Sequence, residues 1–325
     1  MPLPDDLAAD QVRDRQDRAV AAARSAAREL GLTVTEPRVL YDAFSVVVHL
    51  HPAPVVARVP TVLPRTVVAD PAGQSAQQLR ELDVTAWLAE RGHPVVAPSP
   101  LVPRKPVRRD GFSMTFWQYV EQVPTEPSTG LDDPERIEGA AGLHAALRDY
   151  PGELRFLMPL DASIPDGLAQ LEQRPDLLDT DGLRRARSEW ALIEPLTSPE
   201  GFAARFPGLD VHPVHGDAPT YNVIVTPEGP LCSDFEHVMR GPVEWDLVSA
   251  GPAARATYDA AAARLGLRPL DERLLRVMEA ARTLQLLACL PMAPQLPGLA
   301  GWLRPMVEQW QASPPLRTVV PESGD

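Results

Sequence analysis

Apolar and polar positions follow two different periods along this chain, and the change from one to the other divides it. From about Asp10 to Leu30, alanine, arginine, glutamate and glutamine run with helical spacing up to Gly31, which predicts an exposed amphipathic helix. The β-branched runs Arg38–Leu50 and Val55–Val59 flank His51-Pro-Ala-Pro54 and predict antiparallel strands. A second helix is expected over Ala76–Arg91, closed by Gly92 and Pro94, with further strands over Val95–Val102 and Phe112–Val120. Past Thr125–Gly130 the helical period dominates, at Glu135–Arg148, Thr180–Leu196, Pro252–Leu265 and Leu270–Leu290. One island interrupts it. Two short apolar runs, Asn222–Thr226 and Pro230–Phe235, surround Pro227-Glu-Gly229 in the pattern of a hairpin. The pattern therefore gives an α+β chain: a small sheet-rich lobe over 1–120 and a larger helical lobe over 121–325.

Composition narrows the chemistry. A net charge of −13 argues against a nucleic-acid partner and leaves an acidic surface that attracts cationic small molecules. No apolar run is long enough to span a bilayer, and Met1–Asp6 is acidic and proline-containing, unlike a signal peptide. Cys232 and Cys289 make no disulfide framework, so a reduced cytoplasmic setting fits. The 31 basic residues include a single lysine, Lys105, in a proline-bounded loop. Walker A phosphate binding and Schiff-base catalysis both need lysine, so arginine must do the cationic work. The seven histidines are scattered, and His49 and His51, two apart on a strand, make no convincing metal pair.

The densest chemistry lies in Val214-His-Gly-Asp-Ala-Pro-Thr-Tyr-Asn222 and in Asp234-Phe-Glu236 beyond the hairpin. Folding that hairpin returns Asp234 to the loop that carries Asp217 and Asn222. Hard oxygen ligands of this kind suit Mg²⁺, which binds a few side chains together with substrate phosphates. A carboxylate set apart on the same loop can orient or deprotonate an attacking hydroxyl. A lone His-Gly-Asp would be no more than a capped surface turn. The later Asn, the hairpin and the Asp-Phe-Glu make coincidence improbable.

These segments, with Gly241-Pro-Val-Glu-Trp-Asp-Leu247, resemble the catalytic core of the aminoglycoside phosphotransferase and choline kinase-like family, relatives of the protein kinases. The resemblance covers about Val39 to Ser249. It implies a bilobal protein kinase-like fold, with ATP or GTP as co-substrate and Mg²⁺ as cofactor. It also implies Asp217 as catalytic base, Asn222 and Asp234 as metal ligands, His215 as a brace and Asp246 as a buried acceptor for loop amides. Arg58 on the third strand becomes the phosphate anchor, fixed by Glu81 on the next helix. Ser45, in a turn without glycine (Tyr41–Ser45), supplies a phosphate contact, and Gln118, Tyr119 and Val120 read the base. Glu236 stays open between a solvated carboxylate and a substrate or metal contact; His144 is structural.

The function so implied is transfer of a γ-phosphoryl group to a hydroxyl of a small acceptor, an aminoglycoside-like antibiotic being the best single choice. A macrolide, sugar or amino alcohol remains open. A nucleotide-binding module without catalysis is the alternative, resting on the glycine-free turn. A protein kinase is disfavoured, because too little chain separates Asp234 from Asp246 for an activation segment.

Overall fold

The computed structural model describes residues 7–124, 130–131 and 133–317. The acidic start, Met1–Asp6, and the change of character at 125–129 lie outside them.

Helix α1 (Ala9–Glu29) turns Ala19, Ala22, Ala23, Ala26 and Ala27 inward, a spacing that lines small side chains along one stripe. It is followed by β1 (Val34–Asp42), β2 (Ser45–Pro52), β3 (Val55–Pro60), α2 (Arg65–Ala69), α3 (Pro71–Ala89), β4 (Val107–Arg109) and β5 (Phe112–Gln118). The five strands pair antiparallel in the order β1-β2-β3-β5-β4. Against one face lies the alanine stripe, packed with Val46, Val48, Ala57, Val59 and Met114. Because strand residues alternate faces, Val56 and Arg58 of β3 point to the opposite side, toward the helical part of the chain.

The apolar run Arg38–Leu50 is two strands rather than one, turning at Ala43–Phe44. The strand expected over Val95–Val102 does not form; only Val95 and Pro98 make isolated bridges. Pro94, Pro98 and Pro100 remove the amide donors that a ladder requires.

The remainder is mostly helical: α4 (Pro134–Leu147), α5 (Ser163–Gln170), α6 (Thr180–Ile193), α7 (Pro199–Arg205), α8 (Pro252–Arg264), α9 (Glu272–Cys289) and α10 (Leu299–Ala312). Two small ladders interrupt it, β6 (His212–Val214) with β9 (Met239–Gly241), and β7 (Val223–Thr226) with β8 (Gly229–Cys232). Aspartates cap α3, α4 and α9 by accepting first-turn amides. Helices α5, α7 and α10 had no clear signal, since the first two are short and α10 contains Pro305. Packing makes them. Gly167 of α5 lies so close to α9 that a Cβ there would sit 2.5 Å from the Ala288 carbonyl oxygen, which fixes where α9 runs. The helical core centres on Trp245, Tyr258, Met278 and Leu284. Among the described residues no helix is long and apolar enough to cross a membrane, and Cys232 and Cys289 are unpaired.

Candidate active site

The His215–Asn222 loop leaves β6 and is held from below by one buried carboxylate. Asp246 Oδ2 accepts the His215 amide at 2.9 Å, and Oδ1 accepts the Gly216 amide at 2.9 Å. His144 Nε2 approaches Oδ2 at 3.0 Å, while its Nδ1 meets the Tyr258 hydroxyl at 2.8 Å. A carboxylate only accepts, so His144 carries its proton on Nε2 and takes the tyrosine proton on Nδ1. Trp245 Nε1 donates to the Gly216 carbonyl at 2.8 Å. His215 works the same way: Nε2 faces the Ser233 carbonyl at 2.9 Å, and Nδ1 accepts the Asp217 amide at 3.2 Å. Gly216 has φ 85°, and a Cβ there would lie 2.0 Å from the His237 carbonyl oxygen. Only glycine fits that turn.

Asp217 stands at the mouth of the loop between Arg282 and His237. Arg282 of α9 donates from Nη2 to its Oδ1 at 2.5 Å, and His237 Nδ1 lies 4.0 Å from its Oδ2. Burial works to raise this carboxyl, but Arg282, and then His237, outweigh it and hold the group down at about 2. Asn222 donates its amide to the Asp217 carbonyl at 2.6 Å, which turns its own oxygen away from that bond. Across the hairpin, Val223 pairs with Cys232, and the Ser233 amide donates to the Asn222 carbonyl at 2.8 Å. Asp234 follows at once, with φ 63°, beside Asn222.

Arg58 reaches this point from the sheet. Nη1 donates to Glu81 at 3.0 Å, and Nη2 lies 2.5 Å from Glu236 and 2.9 Å from Asp234. The Asp234 contact is electrostatic only, for its Oδ1 is buried without a hydrogen bond. Three carboxylates thus surround one guanidinium. Burial, joined by repulsion from Glu236, raises Glu81 and Asp234 in spite of Arg58, whereas Arg58 and His237 outweigh burial at Glu236 and lower it. More carboxyl oxygens gather here than one guanidinium serves, and Asp234 Oδ1 has no donor, so the site fits a divalent cation. Among the described residues no three His, Cys, Asp or Glu side chains form a metal cluster. An ion here would have to complete its shell from the Asn222 amide, a phosphate or water.

Ser45 is buried and lines the same cleft. Its turn is tied to α1, where Arg15 and Gln16 bond Asp42 at 3.2 and 2.9 Å. Gln118 ends β5, and Tyr119 and Val120 follow it between the sheet and the helical part. The Gln118 amide is already spent on the Ala97 carbonyl and the Tyr119 amide on that of Pro54. His49 stacks on Tyr119 at 3.8 Å, and its Nε2 lies 3.2 Å from the Ala53 carbonyl.

Residues 53–278 match the family described as the phosphotransferase enzyme family. The chain belongs to that family. No curated protein matches it closely enough to be reported. Among solved structures, a choline kinase from Streptococcus pneumoniae is similar with 15% identity and a TM-score of 0.60, over 90% of this chain and 98% of that one. An aminoglycoside phosphotransferase from Streptomyces rimosus, in complex with ADP and streptomycin, is similar with 17% identity and a TM-score of 0.56, over 82% and 98%. Another, in complex with GDP and kanamycin, is similar with 14% identity and a TM-score of 0.56, over 89% and 98%. The phosphotransferase therefore has the α+β, bilobal kinase-like fold of these proteins.

Two residues of this phosphotransferase site carried no sequence signal. Arg282 is one arginine among several on a helix without a motif. His237 follows Asp-Phe-Glu directly, and its position next to that motif was the only available hint. Every other residue singled out in the loop and hairpin lies in or just beneath one cleft.

Proposed function

We propose that this phosphotransferase moves the γ-phosphoryl group of ATP or GTP to a hydroxyl of a small acceptor, with Asp217 as the catalytic carboxylate. The observation that carries the reading is that Asp217, Arg58 and Glu81 line one cleft, with Asn222 bonded to the Asp217 carbonyl and Asp234 2.9 Å from Arg58. Similar folds hold GDP, ADP or AMP, which supports a nucleotide here.

In this reading Arg58 and Ser45 face the phosphates, and the Gln118–Val120 segment borders the base. Asn222 and Asp234 would hold Mg²⁺, which when bound neutralises phosphate charge. Arg282 keeps Asp217 ionised and occupies Oδ1, leaving Oδ2 for the acceptor hydroxyl. The acceptor oxygen bonds to the γ-phosphorus as the bridge to the β-phosphate breaks, and the hydroxyl proton passes to Oδ2. Rate enhancement comes from alignment and charge, not from a covalent intermediate. Unpaired cysteines and a nucleotide co-substrate support a cytoplasmic setting. The net charge of −13 favours a cationic, aminoglycoside-like acceptor, although the walls of the cleft, described below, favour something else.

Asp217→Asn tests the reading. Transfer should fall by at least roughly 10³-fold with Mg·ADP binding intact, whereas Asp234→Asn should weaken Mg·ADP binding itself. Near wild-type turnover in Asp217→Asn would remove the assigned base. The glycine-free, tethered turn at Tyr41–Ser45 favours a second reading, a nucleotide-binding module. Tight ATP binding with no transfer to any acceptor distinguishes it.

A further inference from the structure

We propose that the acceptor is an uncharged alcohol with a largely apolar body; this rests on the kinase reading above and names its substrate class. The cleft, from Ser45 and Arg58 past Asp217, encloses about 310 Å³ in all, at the small end of ordinary ligand sites. Its wall on the acceptor side includes Val62, Met158, Leu286, Met292, Trp302 and Leu303. Trp302, in the first turn of α10, is 70% exposed although Leu303 beside it is buried. An indole held open over a concave apolar wall is a platform for an apolar partner.

The carboxylates of the cleft point the same way. Glu81 and Glu236 are engaged by Arg58, Asp217 by Arg282, and Asp161 by the Ser163 amide at 2.8 Å. The first three are each in contact with an arginine, and Asp161 alone of the four meets only a neutral amide. Arg282 also places positive charge where the acceptor hydroxyl must arrive. A polycation would meet like charge there and lose hydration against hydrocarbon elsewhere, with Asp161 alone among these carboxylates free of an arginine to compensate it. The acidic net charge therefore acts on the outer surface and not on acceptor choice. An uncharged alcohol loses little hydration, covers the aliphatic wall and Trp302, and donates its single proton to Asp217.

The test separates acceptor class from chemistry. With Mg·ADP present, calorimetry would measure binding of menthol and erythronolide B, both uncharged alcohols, against kanamycin and choline. The expected result is that at least one uncharged alcohol binds more tightly than either cation. Trp302→Ala, on the surface, and Leu286→Gln, in the wall, should each weaken that binding about 10-fold without changing ADP affinity. Tighter binding of kanamycin or choline overturns the proposal, as does failure of both alcohols to bind a protein that holds Mg·ADP. Phosphoryl transfer is followed separately with ATP. A bound alcohol that is never phosphorylated counts against the kinase reading and leaves the acceptor class standing.

Discussion

Arg282 Nη2 and Asp217 Oδ1 lie 2.5 Å apart, joining the middle of α9 to the catalytic loop. Arg282 is itself steadied by Gln285, whose Oε1 accepts from Nη1 at 2.9 Å, and its guanidinium lies 5.7 Å from the centre of the Trp245 ring. The pair fixes one oxygen of the candidate base and so decides which one meets the acceptor.

Arg282→Gln should therefore lower kcat by about 10²-fold, the scale seen when one preorganised charge contact is lost. KM for the nucleotide should change little, and Arg282→Lys should recover part of kcat. Steady-state kinetics on the three proteins would check this. An equal rise in nucleotide KM, with no rescue by lysine, would assign Arg282 to phosphate binding instead.

Arg58 is in contact with three buried or half-buried carboxyl groups. Removing it leaves the buried Glu81 carboxyl without its arginine donor, and breaking such a buried pair costs about 3–5 kcal/mol. Arg58→Met should lower the melting temperature markedly, and Arg58→Met with Glu81→Leu should recover much of the loss. Nucleotide binding should stay weak in both. Calorimetric melting together with ADP titration separates the two effects.

Asp246 serves two loop amides and His144, and no water reaches it. Asp246→Ala should cost at least about 3 kcal/mol, since several buried partners lose their acceptor at once. Chemical denaturation measures the loss, and a change within about 0.5 kcal/mol would show that the loop does not depend on this anchor.

His212 is buried beside His144, and its Nδ1 lies 2.8 Å from the Pro213 carbonyl. Burial, and then repulsion from His144, push its pKa from the ordinary 6.5 down to about 4. Between these values the unfolded chain binds a proton that the folded chain refuses, so stability falls as pH drops from 6.5 toward 4. His212→Gln, which cannot titrate, should flatten that part of the stability–pH curve. An unchanged slope would place the acid sensitivity elsewhere.

Much of this was legible in the sequence because it depends on local order. The hairpin around Pro227 and Glu228 brings Asp234 to Asn222 by strand pairing alone, and His-Gly-Asp states its own turn through Gly216. A single lysine left Arg58 as the available cation on its strand, and alternation set it on the face opposite the alanine helix. The apolar run Val95–Val102, by contrast, reads as a strand but makes only isolated bridges, because its prolines lack the amide donors of a ladder. What the tertiary structure decided was the company those residues keep. Arg282 meets Asp217 through the packing of α9, which Gly167 allows to lie close to α5, a contact between segments more than a hundred residues apart in sequence. The acceptor wall likewise gathers residues from a loop, from α9 and from α10 that share no local pattern. Sequence periods report which face of an element is apolar; which faces then enclose a cavity is a property of packing.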